Sequence, residues 1–246
     1  MKNLDSLSGF LARLNAGERS AELIREIQDY LVSIEPRHLY LAEQQLLAAG
    51  LTPDDLVHRC SSNTEMVREE IARVQAALEP DHLIGMLTHD HEVALNILDD
   101  LERLNDRIQH ADLDRFEREL RGPLVHTGRR LLALDPHHDC EEDVVFPEIE
   151  RRGEFGPPQA MRLEHEEITR KIRSLIESSQ SPVDPDAFEA LKRTLDTVVK
   201  FILFIERDHI FKEVYVLYPA ALRAIPDRET WDDLVRKCTG VGYCRI

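Results

Sequence analysis

Apolar residues recur along this chain at helical spacing, as in Leu23, Ile24, Ile27 and Leu31, and the strict alternation that builds strands is hard to find. Over residues 4–78 the pattern predicts short amphipathic helices: Leu4 to Leu14, Ser20 to Ser33, Pro36 to Ala49, and Pro53 to Leu78 with a break near Cys60 to Ser62. Gly17 and Gly50 stand where helices should stop, and Thr52-Pro53 and Ser62 or Asn63 where they should start. Glu79-Pro80-Asp81 then punctuates the chain. Beyond it the apolar stripes lengthen. They predict helices over Leu83 to Asn105, Asp112 to Leu134 continuing through Pro136 to Arg152, Pro158 to Ser179, and Pro185 to Leu222. Arg152-Gly153 and the Ser178 to Pro182 stretch read as stops. Pro136 should bend or restart its helix, because it lacks a donor and clashes with the preceding turn.

Long helices joined by short loops bury their stripes against one another as an antiparallel four-helix bundle. The expected architecture is therefore all-α: a small helical domain at 1–78, the bundle at 79–225, and a tail at 226–246, carrying Trp231, that packs back on the body. Ten Gly, 12 Pro and only 6% aromatics fit that reading, since little in the composition favours strand. Hydrophobic residues at 42% supply a real core. Against 31 Lys plus Arg stand 47 Asp plus Glu, a formal charge of −16, which repels nucleic-acid phosphates and anionic lipid alike; neither is an expected partner. The N-terminal MKNLDSLSGFLARLN has no apolar run of signal-peptide or membrane-spanning length, so a cytoplasmic location is expected. Four cysteines, Cys60, Cys140, Cys238 and Cys244, form no C-x-x-C, and reduced thiols are expected; Cys238 with Cys244 is the alternative pairing.

Candidate chemistry comes from an internal repeat in the bundle. Asp90-His91-Glu92 in the first long helix is answered by Glu164-His165-Glu166 in the third. His137-x-x-x-Glu141 followed by Phe146-Pro147 is answered by His209-x-x-x-Glu213 followed by Tyr218-Pro219. The intervals agree, 46 residues from His91 to His137 and 44 from His165 to His209. Residues i and i+4 project from one helix face, so each H-x-x-x-E is a chelating pair. Imidazole with carboxylate suits iron, manganese or zinc, and two carboxylates on opposed helices can bridge two cations. His138 and Glu142 make the same pair one residue on; the aromatic-proline register selects His137 and Glu141, leaving His138 or Glu142 as a further ligand or a hydrogen-bonding neighbour. His89 reads as a residue of the site's mouth or a hydrogen-bonding neighbour of a ligand rather than a ligand, and His82, His110 and His126 as solvated. Leu95, Leu98, Ile168, Ile172, Phe201 and Phe204 are the expected dry shell. His38 and His58 are isolated, Tyr30 and Tyr40 read as core or rim, and the N-terminal domain reads as a packing or partner-binding unit.

The motifs T-H-D-H-E, H-H-D-C-E-E with F-P, L-E-H-E-E-I and R-D-H-I-F-K-E with L-Y-P resemble those of hemerythrin-like HHE cation-binding domains over residues 80–222. A-E-Q-Q-L-L-A-A-G-L and the terminal G-Y-C also resemble a bacterial architecture of the DUF438 type, in which a helical unit precedes such a bundle. The resemblance implies a hemerythrin-like bundle with two iron ions, non-haem and oxo- or hydroxo-bridged, held by His91, His137, Glu141, His165, His209 and Glu213. It further implies a small oxidant as ligand (dioxygen, nitric oxide or peroxide), bound or sensed, and that the two parts belong together; a protein partner reached through the N-terminal helices is expected from a sensing role. The alternatives are an enzyme that decomposes peroxide or reduces nitric oxide, an iron storage or delivery protein, and a site loaded with zinc or manganese. Oxygen carriers place a second histidine four residues after the one in the third helix, and Thr169 stands there in this chain. The departure favours redox chemistry or sensing over reversible carriage.

Overall fold

The computed structural model describes residues 2–33, 42, 45–46, 49–51, 60–153, 156–240 and 242–243. Among these the regular structure is helical throughout. The chain divides into two compact units, Met1–Glu65 and Met66–Ile246. The first includes α1 (Lys2–Asn15) and α2 (Ala21–Ser33), whose Leu7, Leu14, Leu23 and Ile27 are buried. Gly17 ends the first turn region at φ +87°, and Arg19 donates to the carbonyls of Leu14 and Ala49. His38, His58, Tyr40 and most of the predicted 36–49 helix lie outside the described residues. The division falls within α3 (Cys60–Ala77), upstream of the break expected at 78, because the residues after Glu65 engage the second unit: Arg68 pairs with Asp99 at 2.9 Å, and Tyr215 Oη donates to the Met66 carbonyl at 3.0 Å.

The second unit is the four-helix bundle. Its members are α4 (Leu83–Gln109), α5 (Arg121–Leu132), α8 (Gly156–Gln180) and α9 (Phe188–Lys212), each packed on its two cyclic neighbours in that order. Leu95, Leu98, Ile168 and Ile172 lie in the core, whereas Phe201 and Phe204 are only half-buried, with the Lys171 ammonium over the Phe201 ring. A Cβ on Gly128 would sit 2.7 Å from Ile176 Cγ1, so the glycine permits the close approach of α5 and α8. Buried Arg207 of α9 reaches Asp99 and Glu102 of α4, which meets its charge at the bundle's flank.

Pro136 restarts the second helix: α5 stops at Leu132 and α6 (Asp135–Cys140) begins with the proline in its first turn, where a missing N–H costs nothing. Two π-helical turns follow the same rule elsewhere. Pro147 and Pro219 cannot donate to a carbonyl four residues back, and their rings crowd it. The backbone widens by one residue ahead of each, over Glu141–Val145 and Glu213–Leu217, with Phe146 N–H reaching Glu141 and Tyr218 N–H reaching Glu213. Helices α7 (Phe146–Glu150) and α10 (Tyr218–Ala224) then resume.

The tail departs from expectation in its chemistry. Helix α11 (Arg228–Gly240) buries Trp231, Leu234 and Cys238 in one cluster with Phe146, Tyr218 and Cys140, and Trp231 Nε1 donates to the Ile225 carbonyl at 2.9 Å. His82, expected in solvent, is buried against Trp231, and its Nδ1 accepts from Ile84 N–H at the start of α4. Cys140 and Cys238 are disulfide-bonded rather than free, because the fold brings together residues 98 apart in sequence; Cys244 lies outside the described residues. The alternative pairing of Cys238 with Cys244 is thereby replaced. A cross-link closing a loop of that size constrains the unfolded chain by about 4–5 kcal/mol. Cys238→Ala is expected to lower unfolding stability by up to that amount under oxidising conditions and by far less in reductant, measured by urea denaturation. A non-reducing peptide map lacking the Cys140–Cys238 pair would show the link is not made.

Candidate metal centre

The two H-x-x-x-E segments end α6 and α9, and the π-turns begin at their glutamates. That placement points Glu141 and Glu213 into the bundle's interior from opposed helices, level with His91 of α4 and His165 of α8. None of these six side-chain-bearing residues is more than 4% exposed. Potential ligand atoms of His91, His137 and Glu213 all lie within 4.8 Å of one another, and so do those of Glu141, His165, His209 and Glu213. Glu213 belongs to both groups. Its Oε2 lies 2.9 Å from His91 Nε2 and its Oε1 2.9 Å from His209 Nε2. Glu141 is similarly placed, with Oε2 3.6 Å from His137 Nε2 and 3.5 Å from His165 Nε2.

The free valences of these residues face inward. His137 Nε2, Glu141 Oε2 and both carboxylate oxygens of Glu213 are buried without a hydrogen-bond partner. His165 Nε2 and His209 Nε2 meet at 2.9 Å. Two nitrogens bound at about 2.1 Å and at right angles to one cation would be about 3 Å apart, so the spacing suits a shared ion. Burying two carboxylates and four imidazoles without such an ion would leave acceptors unsatisfied at about 1–3 kcal/mol each. The residues therefore fit a cation pair on their own chemistry.

Carboxylates orient the histidines from behind. Asp90 Oδ2 is 3.4 Å from His137 Nδ1, Glu164 Oε2 is 2.9 Å from His209 Nδ1, and Glu142 Oε1 is 2.6 Å from His165 Nδ1. Holding Nδ1 fixes the tautomer and leaves Nε2 as the ligand atom. Each acid of the D-H and E-H dipeptides thus serves the histidine of another helix rather than its own neighbour. Sequence reasoning registered Asp90 and Glu164 as part of the repeat without assigning them this work, which only the helix pairing reveals. The aromatic residues repeat too: Phe146 stacks on His165 and Tyr218 on His91, with centroids at 6.0 and 5.5 Å. Tyr218 alone carries a hydroxyl, and it donates to Glu141 Oε1 at 2.7 Å. Tyr243 of the tail donates to Asp90 Oδ2 at 2.6 Å, extending the chain behind His137 to the C-terminal segment.

Charge follows from these contacts. Burial, then the nearby Glu213, pushes the Glu141 carboxyl well above its usual range. Burial acts on Glu213 as well, yet His209, His165 and His91 hold it well below. His209 is raised well above an ordinary imidazole, since Glu213 and Glu164 outweigh burial. Lys212, buried beside them, is raised against its desolvation by Asp208 and Glu164, 2.5 and 2.6 Å away.

A model of the hemerythrin HHE cation binding domain matches residues 82–221, more than half of the chain. The chain belongs to the hemerythrin HHE family. Its N-terminal part, residues 7–73, matches a family of unknown function, DUF438. A search of curated proteins finds no match. The HHE bundle carries a metal-binding site of histidine and glutamate, and no helix among the described residues is long and apolar enough to cross a membrane.

Two cavities adjoin the site of this HHE domain. A small one of about 20 Å³ lies among Asp90, His91, His137, His138, His209 and Glu213. A larger, open one of about 620 Å³ reaches His138, Glu142, His165 and Thr169 from the surface between α6 and α8. Thr169 does not enter the cluster, its hydroxyl lying 3.3 Å from Asp135 instead. Cys140, beside Glu141, is fully buried in its disulfide and offers the site no thiol. His89 is half-buried near Glu92, and His110 and His126 are exposed.

Glu206 also lines the small cavity, and sequence reading passed over it. Burial, opposed by His209 and aided by Glu213, pushes its carboxyl up to about 7. In the metal-free chain the folded state then keeps a proton that the unfolded state releases near 4.5, so stability falls as pH rises from 4.5 through 7. The loss is up to about 3 kcal/mol. Glu206→Gln is expected to flatten that decline relative to wild type in urea titrations of apoprotein at pH 5 and 7.5. Parallel curves would mean that the carboxyl titrates as an ordinary surface acid.

Proposed function

We propose that this HHE protein is a non-haem di-iron protein that binds or senses a small oxidant, either dioxygen, nitric oxide or peroxide. His91, His137, Glu141, His165, His209 and Glu213 are its ligands in this reading. The observation that carries it is the sharing of Glu213 by two ligand groups, with Glu141 lying between His137 of one group and His165 of the other. A carboxylate reached from two imidazole sets is the arrangement a dinuclear centre needs, and imidazole with carboxylate suits iron. Bound iron supplies ferrous–ferric exchange, which zinc lacks.

The chain's own residues do the rest. Asp90, Glu142 and Glu164 hold imidazole tautomers, and Tyr218 fixes one oxygen of Glu141 while leaving the other for a cation. The open cavity beside His165 gives a small solute a route to the cluster. Reversible carriage needs a closed, dry site, so the opening supports sensing or redox chemistry instead. It supports equally a second reading, turnover of peroxide or nitric oxide, and steady-state consumption of either by the loaded protein separates enzyme from sensor.

Elemental analysis of anaerobically purified full-length chain is expected to give near two irons, with charge-transfer bands appearing on exposure to air. Glu141→Ala and Glu213→Ala should each lose much of the second metal. A single tightly held zinc in wild type overturns the di-iron reading, and two metals retained by both variants overturns the ligand set.

A further inference from the structure

The proposed ligand set treats the two cation positions unequally. The side of His165 opens to the large cavity and has Thr169 where a further imidazole from α8 would project. Thr169 is turned to Asp135. On that side, however, stands His138, the residue after His137. Potential ligand atoms of His138, His165 and His209 all lie within 4.8 Å of one another. The His138 ring stacks on His165 with centroids 4.0 Å apart and meets His209 edge-on at 5.7 Å. Its Nδ1 is buried and has no hydrogen-bond partner, as is also true of His91, whereas the Nδ1 atoms of His137, His165 and His209 are each held by a carboxylate. An imidazole that is neither anchored from behind nor solvated at that nitrogen retains a lone pair for a cation.

Helix geometry explains how one dipeptide can serve two positions. Consecutive residues diverge by about 100° around a helix. At the interior edge of α6 this turns His137 toward His91, with centroids 4.9 Å apart, and His138 toward His165, the two rings standing at 85° to each other. Glu142, the i+4 neighbour of His138, is committed to His165 Nδ1.

We propose that His138 is a ligand of the second cation, supplied by the second helix in place of the imidazole that the third helix lacks at Thr169. The assignment rests on the dinuclear reading above. It makes the His137-His138 pair a divided one, each histidine facing a different cation.

The test uses full-length protein loaded anaerobically with ⁵⁷Fe(II), compared with His138→Gln and with His138→Gln combined with Thr169→His. His138→Gln is expected to keep the first equivalent, which reports a folded bundle, and to bind the second at least tenfold more weakly, with one of two Mössbauer doublets altered. The double variant is expected to regain the second equivalent, a rescue that a residue merely packing against His165 would not show. Diethylpyrocarbonate footprinting of wild type gives an arm without substitution: His138 should be modified in the apo and one-equivalent forms and protected at two. Wild-type affinity and unchanged doublets in His138→Gln, or modification of His138 at full loading, overturn the assignment alone. A wild-type chain that binds no second cation overturns the dinuclear reading and the assignment together.

Discussion

Two carboxylates and four imidazoles at the dry centre of a helical bundle impose the constraint on which the rest of the second unit depends. Left to themselves, Glu141 and Glu213 repel, and burial drives one up and lets the histidines hold the other down. A bundle gains stability from apolar interdigitation, so a polar layer of this size is tolerated only if its outward-facing atoms are satisfied by protein and its inward-facing ones by something else. Behind His137, His165, His209 and Glu141 the outward atoms are satisfied, by Asp90, Glu142, Glu164 and Tyr218 in turn, while His91 Nδ1 has no partner. The inward atoms of His137, Glu141 and Glu213 are not. That asymmetry of satisfaction is the physical signature of a metal site.

The site is built twice and then made unequal. Each half contributes an acid-histidine dipeptide on one helix and an H-x-x-x-E on the next, a π-turn starting at the glutamate, and an aromatic ring stacked on the opposite half's histidine. The π-turns follow from Pro147 and Pro219, so the same prolines that interrupt the helices also set where the carboxylates face. Tyr218 against Phe146 breaks the symmetry at the paired carboxylates. His138 and Thr169 break it at the rim, where the larger cavity opens.

The tail belongs to this arrangement rather than trailing from it. Cys238 joins Cys140, the residue next to Glu141, and Tyr243 reaches Asp90 behind His137. Trp231 closes over His82 at the head of α4. Three separate anchors of unlike chemistry thus press one short helix against the end of the bundle that holds the site.

By itself the sequence determined the helical class, the bundle and the six residues that meet at its centre. It could do so because i, i+4 chelation and a repeat with matching intervals are local patterns that survive without coordinates. The restart at Pro136 was legible for the same reason, being a property of one residue and its own turn. Only the tertiary structure decided which acid backs which histidine, because Asp90 and Glu164 act across helices on His137 and His209 rather than on their neighbours. It also decided the partner of Cys140, 98 residues away, and the burial of His82, since both depend on where the tail lands. Phe201 and Phe204 fell outside the dry shell because periodicity marks an apolar stripe without fixing its edges. Long-range packing, not local propensity, chose among these outcomes.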